Sequence, residues 1–127
     1  MDGKRLLTQF FETKTGNIPV LDWLRGLAKA DKKSIGDDIK TVEFGWPVGM
    51  PTCRPMGDGL FEVRTDLPQN RIARVLFMIV SPVMLLLHGF IKKADKTPKA
   101  DIELARARMR EQVERLNLAK NARKQRK

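Results

Sequence analysis

Between residues 60 and 93 three strand-like segments follow one another with almost nothing between them, and this decides most of what the chain can become. LFEVRTDL (60–67), RIARVLFMIV (71–80) and VMLLLHGFIKK (83–93) are separated only by Pro68-Gln69-Asn70 and by Ser81-Pro82. Connections of two or three residues join antiparallel neighbours, because a parallel crossover needs a dozen residues or more. The segments therefore predict a meander at the centre of an antiparallel sheet.

The flanking sequence supplies the rest of a domain. RLLTQFF (Arg5 to Phe11) is rich in apolar and aromatic residues and ends at Thr15-Gly16-Asn17, which reads as a first strand and a turn. Behind Pro19, residues Val20, Leu21, Leu24, Leu27 and Ala28 recur at helical spacing; Asp31 is placed to cap a second helix carrying Ile35, Ile39 and Val42. Two helices are expected from about 19 to 44. GWPVGMPTCRPMGDG (45–59) holds seven Gly or Pro in fifteen residues and reads as a long ordered loop. Thr97-Pro98 opens a last helix with the stripe Ile102, Ala105, Met109, Val113 and Leu116; from about 119 to 127 a basic, frayed tail is expected. The predicted order is β-α-α-β-β-β-α in one α+β domain over 1–127: an antiparallel sheet with the two N-terminal helices packed on one face, the other face left open, and a C-terminal helix.

Alternation along the strands says what the open face shows. Glu62 and Arg64 point away from Phe61 and Val63, Arg74 alternates with Val75, and His88 and Lys92 share a side with Phe90. If the polar sides coincide, Glu62, Arg64, Arg74, His88 and Lys92 line one surface.

Charge narrows the partners. The formal net charge is +10, and 13 basic against 5 acidic residues between Lys92 and Lys127 put +8 of it at one end. Such a surface captures polyanions: nucleic acid, the ribosome or an acidic protein. One cysteine, Cys53, and one histidine exclude an intramolecular disulfide and a zinc site of the usual kind, and Cys53 is read as a packing residue. The longest apolar stretch, Val75 to Leu87, is split by Ser81-Pro82 and too short to span a bilayer, and MDGKRLLTQFFE lacks a signal-peptide core. A soluble, cytoplasmic protein without membrane partners is expected.

GLFEVRTD, IARVLF and LLLHGFIKKADKTPKADIELARAR, over residues 57–108, resemble the HigB-like, phage-derived branch of the RelE/ParE superfamily, toxins of type II toxin–antitoxin systems. The resemblance implies a RelE-like fold and a ribosome-dependent mRNA endonuclease that uses no cofactor or metal and directs the RNA's own 2′-OH at the adjacent phosphate. It also implies a cognate helix-turn-helix antitoxin, in a toxin–antitoxin hetero-oligomer. Two other readings stay open: a ParE-like inhibitor of gyrase that cuts no RNA, and, because the chain has no Tyr, an inactive basic RNA-binding module.

Metal-free RNA cleavage needs cations for the charge that develops on the phosphate and groups that move protons. Arg64 and Arg74 are the candidates for the first task, since a guanidinium grips phosphate with two bonds; the structural alternative for both is a pair with Glu62. Lys92, Glu62 and His88 are the candidates for proton transfer, His88 being more readily explained as a histidine satisfied within the sheet. Lys92 is expected in the groove and Lys93 away from it. RNA contacts are expected from Lys93, Lys96, Lys99 and Arg108, and from Trp46 by stacking, against the alternatives of a solvated helix face and a packed tryptophan.

Overall fold

The computed structural model describes residues 3–93 and 96–125. Its elements are β1 (Leu7–Phe10), α1 (Pro19–Arg25), α2 (Lys29–Gly45), β2 (Cys53–Gly57), β3 (Leu60–Leu67), β4 (Arg71–Val80), β5 (Val83–Lys92) and α3 (Lys99–Gln125). The expected meander is present: β3 and β4 pair antiparallel from Leu60↔Met78 to Leu67↔Arg71, and β4 and β5 from Ile72↔Lys92 to Val80↔Val83. Pro19 opens α1, where its fixed φ suits the first turn.

Two strand features differ from the expectation. Within the Gly- and Pro-rich stretch expected as a loop, Cys53–Gly57 forms β2 at one edge of the sheet. Pro55 is tolerated there because an edge strand leaves one side of its backbone outside the ladder, and the pairing is irregular between Pro55 and Gly57. At the other edge β1 lies parallel to β5, Leu7↔Val83 to Phe10↔Leu86, so the sheet is mixed, in the order β1-β5-β4-β3-β2.

Both faces of the sheet are covered, which corrects the expectation of an open one. On one side Val20 of α1 and Ile35, Ile39 and Val42 of α2 pack with Val63, Val75, Phe77 and Leu86. On the other, Ile102, Ala105 and Met109 of α3 lie against Phe11, Leu60, Leu76, Met78, Leu85, Leu87 and Phe90. The cause is in VLFMIV and MLLL, which are apolar on both sides and need two covers. Each large aliphatic side chain so buried contributes about 1.5–3 kcal/mol.

A bulge sets the faces of β5. Leu76 pairs with His88 and Phe77 with Leu86, so Leu87 is an extra residue. Strict alternation from Leu86 would have carried His88 to the α1–α2 side; the bulge turns it toward α3.

The helix ends also depart from the sequence reading. α2 starts with Ala28 as its N-cap, one turn before Asp31, whose carboxylate instead takes both guanidinium nitrogens of Arg71 at 2.7 and 3.0 Å. α3 begins at Lys99, with the Pro98 carbonyl accepting from the Asp101 and Ile102 amides, and continues to Gln125 through most of the stretch expected to fray; residues 126–127 lie outside the described residues.

Candidate functional site

Strand register brings the expected polar residues onto one face, in three rows across β3, β4 and β5: Glu62–Leu76–His88, Arg64–Arg74–Phe90 and Asp66–Ile72–Lys92. The alternation argument therefore holds for all five. What it did not anticipate is the first turn of α3 over the same rows. The Thr97 hydroxyl donates to Glu62 Oε2, and Asp101 bonds His88 Nε2 through Oδ1 at 2.6 Å and accepts from Lys92 Nζ on Oδ2 at 3.0 Å.

This cover divides the candidates. Glu62 and Arg74 form an enclosed ion pair, Nε to Oε1 3.5 Å, with side chains only 3% and 2% exposed. A phosphate cannot reach Arg74, so the expectation of a cationic donor fails at that position and the structural alternative applies. His88 is satisfied, as the sequence favoured, but by the helix and not within the sheet; it stacks on Phe90 at 5.5 Å. Lys92 is half exposed and tied to Asp101. Burial alone would raise the Asp101 pKa, but the bonds from His88 and Lys92 outweigh it and hold the carboxyl below its ordinary value.

Arg64 stays accessible. Its side chain is 40% exposed, with Nε 3.4 Å from Asp66 Oδ1. It walls two adjoining cavities, one at the β3–β4 turn and one between α2 and the residues that lead into β2. One, of about 330 Å³, is lined by Arg64, Asp66, Leu67, Asn70, Arg71, Ile72 and Lys93; the other, of about 250 Å³, by Asp38, Pro51, Thr52, Arg64 and Asp66. Lys93, expected to point away, lines the larger cavity because it follows the end of β5, where strict alternation no longer applies. Arg71 is held by Asp31, whose pKa is lowered chiefly by the bond from Arg71. Asn70 sits at positive φ (58°) in the turn, a conformation Asn tolerates better than most residues.

Among the expected RNA contacts, Trp46 and Arg108 serve packing. Trp46 meets Phe61 and Phe77 edge-on at 5.0 and 6.0 Å, on the face away from Arg64. Arg108 donates to the Leu87 carbonyl at 2.8 Å and lies over the Phe11 ring; burial lowers its pKa, against the pull of Glu111. Lys96 is exposed, and Lys99 is exposed with Glu103 3.8 Å away. Cys53 is buried; burial first, and then the Glu62 charge, push its thiol up to about 11, so it offers no thiolate at neutral pH. Among the described residues no three His, Cys, Asp or Glu side chains gather as a metal site, and no helix is long and apolar enough to cross a membrane.

Asp101, Asp66, Asn70 and Arg71 were not singled out from the sequence. For Asp101 the sequence held one signal: the chain's single histidine needs a partner, and Asp101 is the acidic residue in the first turn of the helix that follows its strand.

Fold and rim together define a small α+β protein whose sheet ends in a cationic rim under a partly docked C-terminal helix. Residues 22–110 match the family model described as "Phage derived protein Gp49-like (DUF891)", and the chain belongs to this phage-derived family, which is toxin–antitoxin-associated and RelE-like. The matched span runs from α1 into α3 and contains every candidate site residue. No curated protein matches the chain significantly.

Proposed function

We propose that the chain is the HigB-like toxin of a type II toxin–antitoxin pair and cuts mRNA on the ribosome, with Arg64 as its principal phosphate-binding residue. The observation that carries this reading is the position of Arg64 as the shared wall of two adjoining cavities, with Lys93 and Arg71 on the larger one. Cations that converge on a concave rim suit a phosphodiester, and a guanidinium there can hold two phosphoryl oxygens as charge builds on them. In this reading the RNA's 2′-OH gives up its proton and attacks the adjacent phosphate to form a 2′,3′-cyclic phosphate, while the bond to the 5′-oxygen breaks and that oxygen takes up a proton. Arg64 and Lys93 stabilise the phosphoryl oxygens, Lys92 stands beside them on the same face, and the enclosed Glu62–Arg74 pair fixes the floor. Membership of a toxin–antitoxin-associated family supports the biological role, and the basic surface supports docking on ribosomal RNA.

The test is growth arrest on induction, with primer extension on translated mRNA. Arg64→Ala should lower cleavage about 100- to 1,000-fold, as loss of one preorganised donor does. Arg64→Lys should recover little of this, having lost the two-pronged grip. Cleavage should require translating ribosomes. An Arg64→Ala protein that still arrests growth and still cuts, or a parent protein that inhibits supercoiling and leaves mRNA intact, overturns the reading.

A further inference from the structure

α3 is about 40 Å long at 1.5 Å per residue, and its apolar stripe does not stop where the sheet does. Ile102, Ala105 and Met109 are packed, but Val113 and Leu116, the next members of the stripe, are 43% and 40% exposed. Grooves run along both sides of this half: one of about 310 Å³ lined by Met78, Met109 and Val113 with Asp58, Arg110 and Glu114 on its polar side, and one of about 130 Å³ lined in part by Val83, Leu85 and Leu116. One turn further on, Leu116 shares a third hollow, of about 460 Å³, with Lys120, Arg123 and Lys124. From Arg115 to Gln125 there is no acidic residue to neutralise them.

We propose that the distal half of α3, with the adjoining end of the β4–β5 hairpin, is the seat of an amphipathic helical segment of a protein partner, apolar on the seated face and acidic along its flank. Aliphatic residues at helical spacing beside a groove are the pattern that receives a helix. The cations around Leu116 select the sign of the flank and speed encounter. RNA is the poorer fit: single-stranded RNA is held by stacking on aromatic side chains, and α3 has no aromatic residue between Lys99 and Gln125. The seat lies at the opposite end of the sheet from Arg64, so a partner bound there leaves the rim open. As a partner site, the inference rests on the two-protein reading above, but its test does not involve RNA cleavage.

The probe is a labelled synthetic peptide of about five helical turns, ~18 residues, with Leu at i, i+3, i+4 and i+7 and Glu on the flanks, titrated against the full chain by fluorescence anisotropy. A scrambled peptide of the same composition is the control. The patterned peptide should bind at least about tenfold more tightly than the scrambled one, ~1.4 kcal/mol, and Leu116→Asp should erase that preference. The Lys120→Glu/Lys124→Glu double variant, which touches no packed residue, should slow association. Equal binding of both peptides overturns the proposal. So does an oligouridylate whose affinity falls with Leu116→Asp while the peptide's does not, which would give the surface to RNA. A free chain that sediments as a dimer dispersed by Leu116→Asp would give it to a second copy. Because Arg64 lies elsewhere, Leu116→Asp should leave growth arrest intact when the partner is absent; loss of both peptide binding and arrest in a folded variant would overturn the separation of the two sites.

Discussion

Arg64 and Arg74 are direct partners across β3 and β4 and point to the same side of the sheet, yet one side chain is 40% exposed and the other 2%. The same chemistry at adjacent positions has opposite uses. Arg74 lies in the middle strand, is paired with Glu62 and is roofed where Thr97 and the first turn of α3 come down. Arg64 stands beside it on β3, two residues past the covered Glu62 toward the β3–β4 turn, where its side chain opens onto the cavities. Strand register chooses the side on which a residue appears; the layer above decides whether a ligand can use it.

The contrast would be broken most directly at Arg74. Arg74→Ala leaves a buried carboxylate without its cation and should destabilise the fold by about 3–5 kcal/mol. Replacing the pair together, Arg74→Met with Glu62→Leu, should recover most of that loss. An unchanged melting temperature for Arg74→Ala would mean that the enclosure is not real.

Next in size is the anchor of the roof. Asp101→Ala removes two charge-assisted bonds and should cost about 1.5–3 kcal/mol. The folded-state pKa of Asp101 lies below its ordinary 3.8, so the anchor's contribution is complete above that value and disappears as pH falls through the lowered one. Acid melts should therefore show a loss of stability that is smaller in Asp101→Asn. A parent and variant with parallel pH profiles would remove Asp101 from the account.

A test without charge uses the covered region on the opposite face. A Cβ on Gly89 would sit 2.4 Å from the Trp23 ring, so Gly89→Ala should cost about 1–3 kcal/mol in overpacking. Combining it with Trp23→Leu should relieve part of the damage, as chemical denaturation would measure.

The smallest effect is expected at the rim. Arg64→Ala should alter stability by less than about 0.5 kcal/mol, despite its large expected effect on cleavage. A Tm drop comparable with that of Arg74→Ala would erase the distinction between the two arginines.

Much of this is legible in the sequence. The two short connections gave the meander, and side-chain alternation grouped Glu62 with Arg64 and His88 with Lys92, leaving to the strand register whether those sides coincide. The partner of Arg71 was not legible, because Asp31 lies forty positions away on a different element. β2 was hidden because Pro55 and the glycines around it argue against a strand unless the strand is an edge. The roof over Arg74 was half visible: the doubly apolar β4 and β5 demanded a second cover, and the stripe of α3 could supply it. The sequence could not say how far along the face that cover would extend, since this depends on where the chain turns between β5 and α3.

The edge position of β1 has a consequence for the order of assembly. Its partner register joins Leu7 to Val83, seventy-six positions later, whereas every other strand pair is a neighbour in sequence. Closing a loop of that size is slow compared with forming hairpins. During synthesis the first strand to leave the ribosome is thus the last to be seated, and it waits for the meander that will receive it. Hydrogen-exchange labelling during refolding is expected to protect the amides of Leu76 and Leu85 before that of Phe11, which bonds the Leu86 carbonyl. Until that late step β5 has an open side, and the growing chain carries an unpaired sheet edge of its own making.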